Sequence, residues 1–162
     1  MREHPNVLNP PLSPNFDLAR LTHSDTARER GIANQPEPAH LPHLRLLAAA
    51  LEELQGMLGA PLVITSAYRS PALNAAVGGV PTSRHALGLA ADLVCPGYGT
   101  PLEVARAIAA SAIVFDQVIH EFGRWVHFGL APPGSAPRRQ LLTICGTASG
   151  YLDGLHACAP RA

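Results

Sequence analysis

The chain has no excess charge of either sign. Twelve lysines and arginines balance twelve aspartates and glutamates, and charged residues are only 15% of the total. No basic run with interleaved aromatics is present. A neutral chain of this kind offers no electrostatic footprint for nucleic acid or for an acidic membrane surface. Long apolar runs are missing too, and the longest fall far below the roughly 20 residues of a spanning helix. The first residues, MREHPNVLNPPLSPNF, contain no apolar core, so neither a secretory signal nor a lipidation signal is expected. Cysteine is scarce. Cys95, Cys145 and Cys158 form no CxxC pair. The expectation is a reduced cytosolic protein with buried or incidental thiols, with a Cys145–Cys158 bridge in the tail as the alternative.

What is present suits one folded unit. The 162 residues lie within the usual range for a single domain, and 47% of them are apolar, enough for a core. Residues 1–16 read as an extended arm rich in proline and asparagine. Ser24 or Asp25 caps a short helical turn that Gly31 ends. LPHLRLLAAALEELQGMLG places Leu41, Leu44, Leu47, Ala48, Leu51, Leu54 and Leu58 at helical spacing, with Gly59 as the stop. PLVITSAYRS reads as a strand. PALNAAV is a short helix capped by Ser70, and LAADLV is another strand. Thr100, Pro101 and Glu103 open a further helix in capping-box register. DQVIHEF and RWVHFGL form two strands joined at Gly123, and QLLTIC adds a last one. The tail from Gly146 shows no clear pattern. Helices first, then mostly strands with a hairpin, predict an α+β domain with a largely antiparallel sheet.

The segment TSRHALGLAAD carries the chemistry. Strand alternation puts Asp92 on the face of Ala90 and Val94, opposite Leu89, Ala91 and Leu93. A bare carboxylate inside a sheet loses on the order of several kcal/mol of hydration. It therefore needs a cation: Arg69, Arg84 or a metal. His85 lies in the turn entering that strand, and Gly88 lets the chain bend so that the two side chains converge. His127, in RWVHFGL, shares a strand face with Trp125 and Gly129. Two imidazoles and one carboxylate are a frequent zinc set, and three protein ligands leave a fourth position for water. A hydrolytic site also needs a base. Glu121 is the first candidate and His120 the second, although His120 points to the opposite face of a regular strand. Arg69 pairs with a substrate carboxylate or an oxyanion, or alternatively with Asp92. Ser83 orients the His85 loop or bonds to substrate. Tyr68 reads as packing.

These residues carry a resemblance. SRHALGLAAD resembles the S-x-H-x-x-G-x-A-x-D signature of zinc D-Ala-D-Ala carboxypeptidases and their phage endolysin relatives. WVH looks like their W-x-H, and SAYRSPALNAAVGGVPTSRH is similar to the segment that precedes the signature in the phage-type branch. The likeness runs from LSPNF to HFGL. It implies a fold of the hedgehog/DD-peptidase type, with zinc on His85, Asp92 and His127. It also implies Ser83 as the signature serine and Arg69 as a substrate contact. Many members carry an acid three residues before the last histidine, where this chain has Arg124. Glu121, six residues before His127, matches the spacing of the hedgehog-type relatives instead. The implied activity is hydrolysis of peptidoglycan stem peptides, as a carboxypeptidase or an endopeptidase. A monomer is expected, held in the cytoplasm until release to the wall through a holin. The rival readings are a non-catalytic, zinc-stapled binding module of the same fold and a phage structural protein that uses the domain at the wall.

Overall fold

The computed structural model describes residues 11–159. Two short helices come first, α1 (Leu18–Thr22) and α2 (Asp25–Arg30). Ser24 caps α2 by accepting from the Ala27 amide, and Gly31 closes it in the left-handed conformation. The long helix α3 (Leu41–Leu58) ends at Gly59, as its periodicity predicts. Its leucines at positions 44, 47, 51 and 54 are fully buried. Each contributes about 1.5–3 kcal/mol relative to exposure. The strand β1 (Val63–Ser66) is shorter than the β-branched run around it, because the chain leaves the sheet at Ala67. Then follow α4 (Pro71–Ala76), a 3-10 turn (Arg84–Leu87), β2 (Ala90–Val94) and α5 (Pro101–Ala110). The capping box of Thr100 and Glu103 is present at the start of α5. The remainder is β3 (Gln117–Glu121), β4 (Trp125–Gly129), β5 (Gln140–Ile144) and β6 (Leu152–Asp153).

The six strands form one sheet in the order β1-β2-β4-β3-β5-β6. Its pairings are antiparallel except for β3 with β5, which run parallel. The architecture is therefore α+β with a mixed, mostly antiparallel sheet. One face of this sheet is the core. Ala91, Leu93, Val118, Val126 and Phe128 meet the buried sides of α3 and α5 there. The opposite face carries Asp92, His127 and Glu121, with a small apolar patch of Ile119, Leu142 and Ile144. Period-2 alternation thus separates packing from chemistry along the same strands.

Three expectations need correction. The arm does not stay extended to residue 16. Residues 1–10 lie outside the described residues, but Pro11 bridges to Asp17 and Phe16 is fully buried in the core. Glu52 of α3 holds this segment by accepting from Ser13 Oγ and from the Asn15 amide. Burial of the Phe16 ring and the bonds to Glu52 together hold the segment in place. The thiols are not all reduced either. Cys145 and Cys158 are joined in a disulfide, with Cα atoms 5.3 Å apart, while Cys95 is free and buried. The tail folds back through β6 and brings the two cysteines within bonding geometry. QLLTIC is also not the final strand, since β6 follows it. Among the described residues, no helix is long and apolar enough to cross a membrane.

The parallel β5 depends on Asp116. Its buried carboxylate accepts from the Arg138 amide at 3.0 Å and from Arg138 Nη2 at 2.6 Å, and its carbonyl accepts from the Gln140 amide at 2.9 Å. Bonding to Arg138 holds the Asp116 carboxyl below the usual carboxylate range, against the opposing effect of burial. Asp116→Asn is expected to lower the unfolding free energy by about 2 kcal/mol at neutral pH, measured by urea denaturation. A depressed folded-state pKa contributes stability above the unfolded value of about 3.9. The difference between wild type and variant should therefore fade as pH falls below that value towards the lower folded one.

Candidate metal centre

The centre is assembled at the seam of β1, β2 and β4. A bulge between Ile64 and Ser66 shifts the β1 register so that Ser66 stands opposite Asp92. Bulges re-aim the residues that follow them, and here Ala67 and Arg69 follow. Asp92 in turn stands directly opposite His127 on β4, so the two side chains share the open face. His85 arrives from outside the sheet, on the 3-10 turn. Ser83 caps that turn by accepting from the His85 amide at 3.3 Å. Gly88 ends it with a φ of 73°. A Cβ at Gly88 would meet the Leu44 side chain at 3.0 Å, so neither the conformation nor the space there suits another residue.

His85 is held at three points. Its ring Nδ1–H donates to the Ala67 carbonyl at 2.7 Å, its backbone carbonyl accepts from the Arg69 amide at 3.1 Å, and Ser83 caps its amide. A carbonyl only accepts, so Nδ1 carries the proton. In the neutral ring the other nitrogen, Nε2, is then a bare lone pair. That lone pair faces Asp92 Oδ1 at 3.2 Å and His127 Nδ1 at 3.2 Å, and the last two atoms are 3.1 Å apart. The three atoms thus form a near-equilateral triangle. One proton on His127 Nδ1 satisfies only one of its edges. Ligand atoms around a tetrahedral zinc lie about 3.3 Å apart, given bonds of about 2.0–2.1 Å. The donor set and its spacing therefore fit a zinc ion with a fourth position left for another ligand. His85, Asp92 and His127 are all buried and together form a candidate metal site.

The second oxygen of Asp92 is engaged elsewhere. Arg69 Nη2 donates to Oδ2 at 2.6 Å, and Arg69 Nε donates to Ser66 Oγ at 2.9 Å. The salt bridge expected as the alternative partner of Asp92 is thus present, and it coexists with the triangle because each carboxylate oxygen serves one role. Arg84 instead lies 4.0 Å from Asp116. Burial pushes the Asp92 carboxyl up, but the charge and hydrogen bonds that His85 and His127 supply when protonated outweigh it and hold the group well below its usual range.

Glu121 stands on the same face, one strand beyond His127. It is opposite Trp125 in the β3–β4 hairpin, while Ile119 is opposite His127. Its half-buried carboxylate accepts from Trp125 Nε1 at 2.9 Å. The hairpin turn fixes this pair. Phe122 and Gly123 both have positive φ, 55° and 68°, and the Arg124 amide donates to the Glu121 carbonyl at 2.9 Å. That geometry costs Phe122 backbone strain, offset by its ring packing 5.4 Å from that of Trp125. Burial, and after it the charge of Asp92, pushes the Glu121 carboxyl up, against the pull of His127, Trp125 and Arg69. Glu121 is therefore within the electrostatic reach of the centre.

The remaining expected residues fall elsewhere. His120 is on the core face, buried, and its Nδ1–H donates to the His156 carbonyl at 2.9 Å. A regular strand cannot turn both His120 and Glu121 to the same side, so His120 is not brought to the cluster. Arg124 is exposed in the turn. Ser83 faces its own 3-10 turn. Tyr68 is buried in the core. The orienting role of the Ala67 carbonyl has no signal in the sequence, because every residue carries one. The Trp125–Glu121 bond has one: the two residues are four apart across a three-residue turn, which puts them opposite each other.

A family model, Peptidase M15, matches residues 14–129. No curated protein matches the chain. The matched segment ends at the last residue of β4 and holds the whole triangle together with Arg69 and Glu121.

His85→Ala or Asp92→Ala is expected to abolish stoichiometric zinc binding, read by elemental analysis of the purified protein. Zinc content at the wild-type level in both variants would refute the centre.

Proposed function

Because the chain belongs to the peptidase M15 family, we propose that it is a zinc metallopeptidase acting on the stem peptides of bacterial peptidoglycan. The observation that carries this reading is the triangle of close nitrogen and oxygen atoms from His85, Asp92 and His127, on a sheet face that also bears a half-buried glutamate. His85, Asp92 and His127 are the residues that would hold zinc. When bound, zinc supplies Lewis acidity toward a carbonyl and toward water.

The protein's own groups do the rest. Glu121 takes the proton of the attacking water and passes it to the leaving amine. Its raised pKa suits that exchange, since a base works best when its pKa lies near the operating pH. Trp125 keeps the carboxylate from rotating away by donating to one oxygen. Arg69 holds Asp92 in place, and its positive charge beside the cluster pairs with a substrate carboxylate or with the developing oxyanion. Ser83 acts through His85 by fixing the turn that presents it. The fold is read as the hedgehog/DD-peptidase type, and residues 1–162 as one peptidase domain, because β6 of the tail joins the same sheet as the centre.

The second reading is a binding module that keeps zinc only as a staple. Arg124 at the position where many relatives place an acid favours it. Glu121 on the metal-side face argues against it. Digestion of purified peptidoglycan followed by mass spectrometry of the muropeptides separates the two. The expected result is metal-dependent release of new amino termini, with the cleaved bond read from the product masses. Glu121→Gln should retain zinc and lose about 10²–10⁴-fold in turnover. Wild-type turnover in that variant would move the base role to another group. Binding to the wall without cleavage by the wild type would favour the module.

A further inference from the structure

The tail beyond the family match returns to the candidate active face. Cys145 follows β5 directly and is bonded to Cys158, so the intervening segment is closed into a loop. Such closure limits the conformations open to the segment before it folds. The loop is anchored along its second half. Thr143 Oγ1 donates to the Gly154 carbonyl at 2.8 Å, and the His156 amide donates to Thr143 Oγ1 at 2.9 Å. Between these anchors and Cys145, β6 pairs with β5, with Leu142 opposite Asp153 and Thr143 opposite Leu152.

That register decides which face Tyr151 meets. Leu152 shares the face of Thr143, which is the core side. Tyr151, one residue earlier, falls on the other side, level with Ile144. Ile144 is itself opposite Glu121, and Glu121 is opposite Trp125. Trp125, Glu121, Ile144 and Tyr151 therefore form one cross-strand row on the open face. Tyr151 is 60% exposed, although it sits beside a sheet that buries most of its large side chains. The charges of Glu121 and Asp92, acting after burial, push its phenol pKa up, which places the hydroxyl within their field. A phenol kept protonated is a hydrogen-bond donor, and an exposed tyrosine offers a rigid apolar ring at low entropic cost.

We propose that Tyr151, presented by the disulfide-closed tail loop, is a substrate-contact residue at the far end of the cross-strand row that runs past Glu121. Trp125 stands on the near side of Glu121 and Tyr151 on the far side, so an extended stem peptide lying along the row meets an aromatic ring at each end. The assignment rests on the peptidase reading for the identity of the substrate.

The test compares zinc-loaded wild type with Tyr151→Ala and Tyr151→Phe on purified muropeptides. Tyr151→Ala is expected to raise KM about fivefold, the size of one lost aromatic contact, with kcat changed less than about twofold and zinc content unaltered. Tyr151→Phe should restore the ring's part of that loss. An unchanged KM in Tyr151→Ala would overturn the proposal, as would loss of zinc, which would mark a structural role instead. If the wild type holds zinc and cleaves no muropeptide, the peptidase reading fails by itself. Retention of the same proteins on insoluble peptidoglycan then decides about Tyr151. Retention about fivefold weaker for Tyr151→Ala supports the contact, and equal retention removes it.

Discussion

The hydrogen bond from His85 to the Ala67 carbonyl governs the centre. It fixes the tautomer of a buried imidazole and turns the free lone pair of that ring toward Asp92 and His127. Without it the ring is free to place a proton on the nitrogen that faces Asp92 and His127. The bond itself depends on two backbone irregularities. The bulge in β1 carries Ala67 out of the sheet, and the left-handed Gly88 closes the turn that delivers His85. Neither feature touches the metal position, yet each determines whether three donor atoms meet. Orienting bonds of this kind are a large part of what makes a metal site selective and tight.

The sheet explains how a buried, charged site coexists with a stable core. The packing of α3 and α5 lies on one face, so the other is free for polar groups without opening the interior. Asp92 and Leu93 are neighbours in sequence and belong to different environments for this reason. Arg69 completes the arrangement by giving the second oxygen of Asp92 a charged partner. A carboxylate with only one oxygen engaged leaves the other unpaired in a desolvated place, at considerable cost. The strain at Phe122 has a similar logic, since the tight hairpin that causes it sets Glu121 and Trp125 opposite each other.

Some features that the sequence does not show share one cause. The buried Phe16, the parallel pairing of β5 and the bridge between Cys145 and Cys158 all depend on contacts between segments far apart along the chain. Local patterns describe helix ends and strand faces well. The caps at Ser24, Ser70 and Thr100 and the stops at Gly31 and Gly59 were legible because capping is settled within a few residues. A strand's partners and direction are not local, so QLLTIC was readable as a strand but not as a parallel one.

The sequence by itself determined the identity of the donor set, the helix that backs the sheet and the face on which Asp92, Glu121 and His127 lie. Those follow from residue type and from a period of two or 3.6, which need no knowledge of the rest of the chain. Only the tertiary structure decided that Arg69 joins Asp92 while the same carboxylate still faces both histidines. It also decided that His120 is committed to the His156 carbonyl on the core side, and that the tail brings Tyr151 to the row of Glu121. Each of these is a choice between partners, and it is made by distance in space, which the order of residues along the chain does not encode locally.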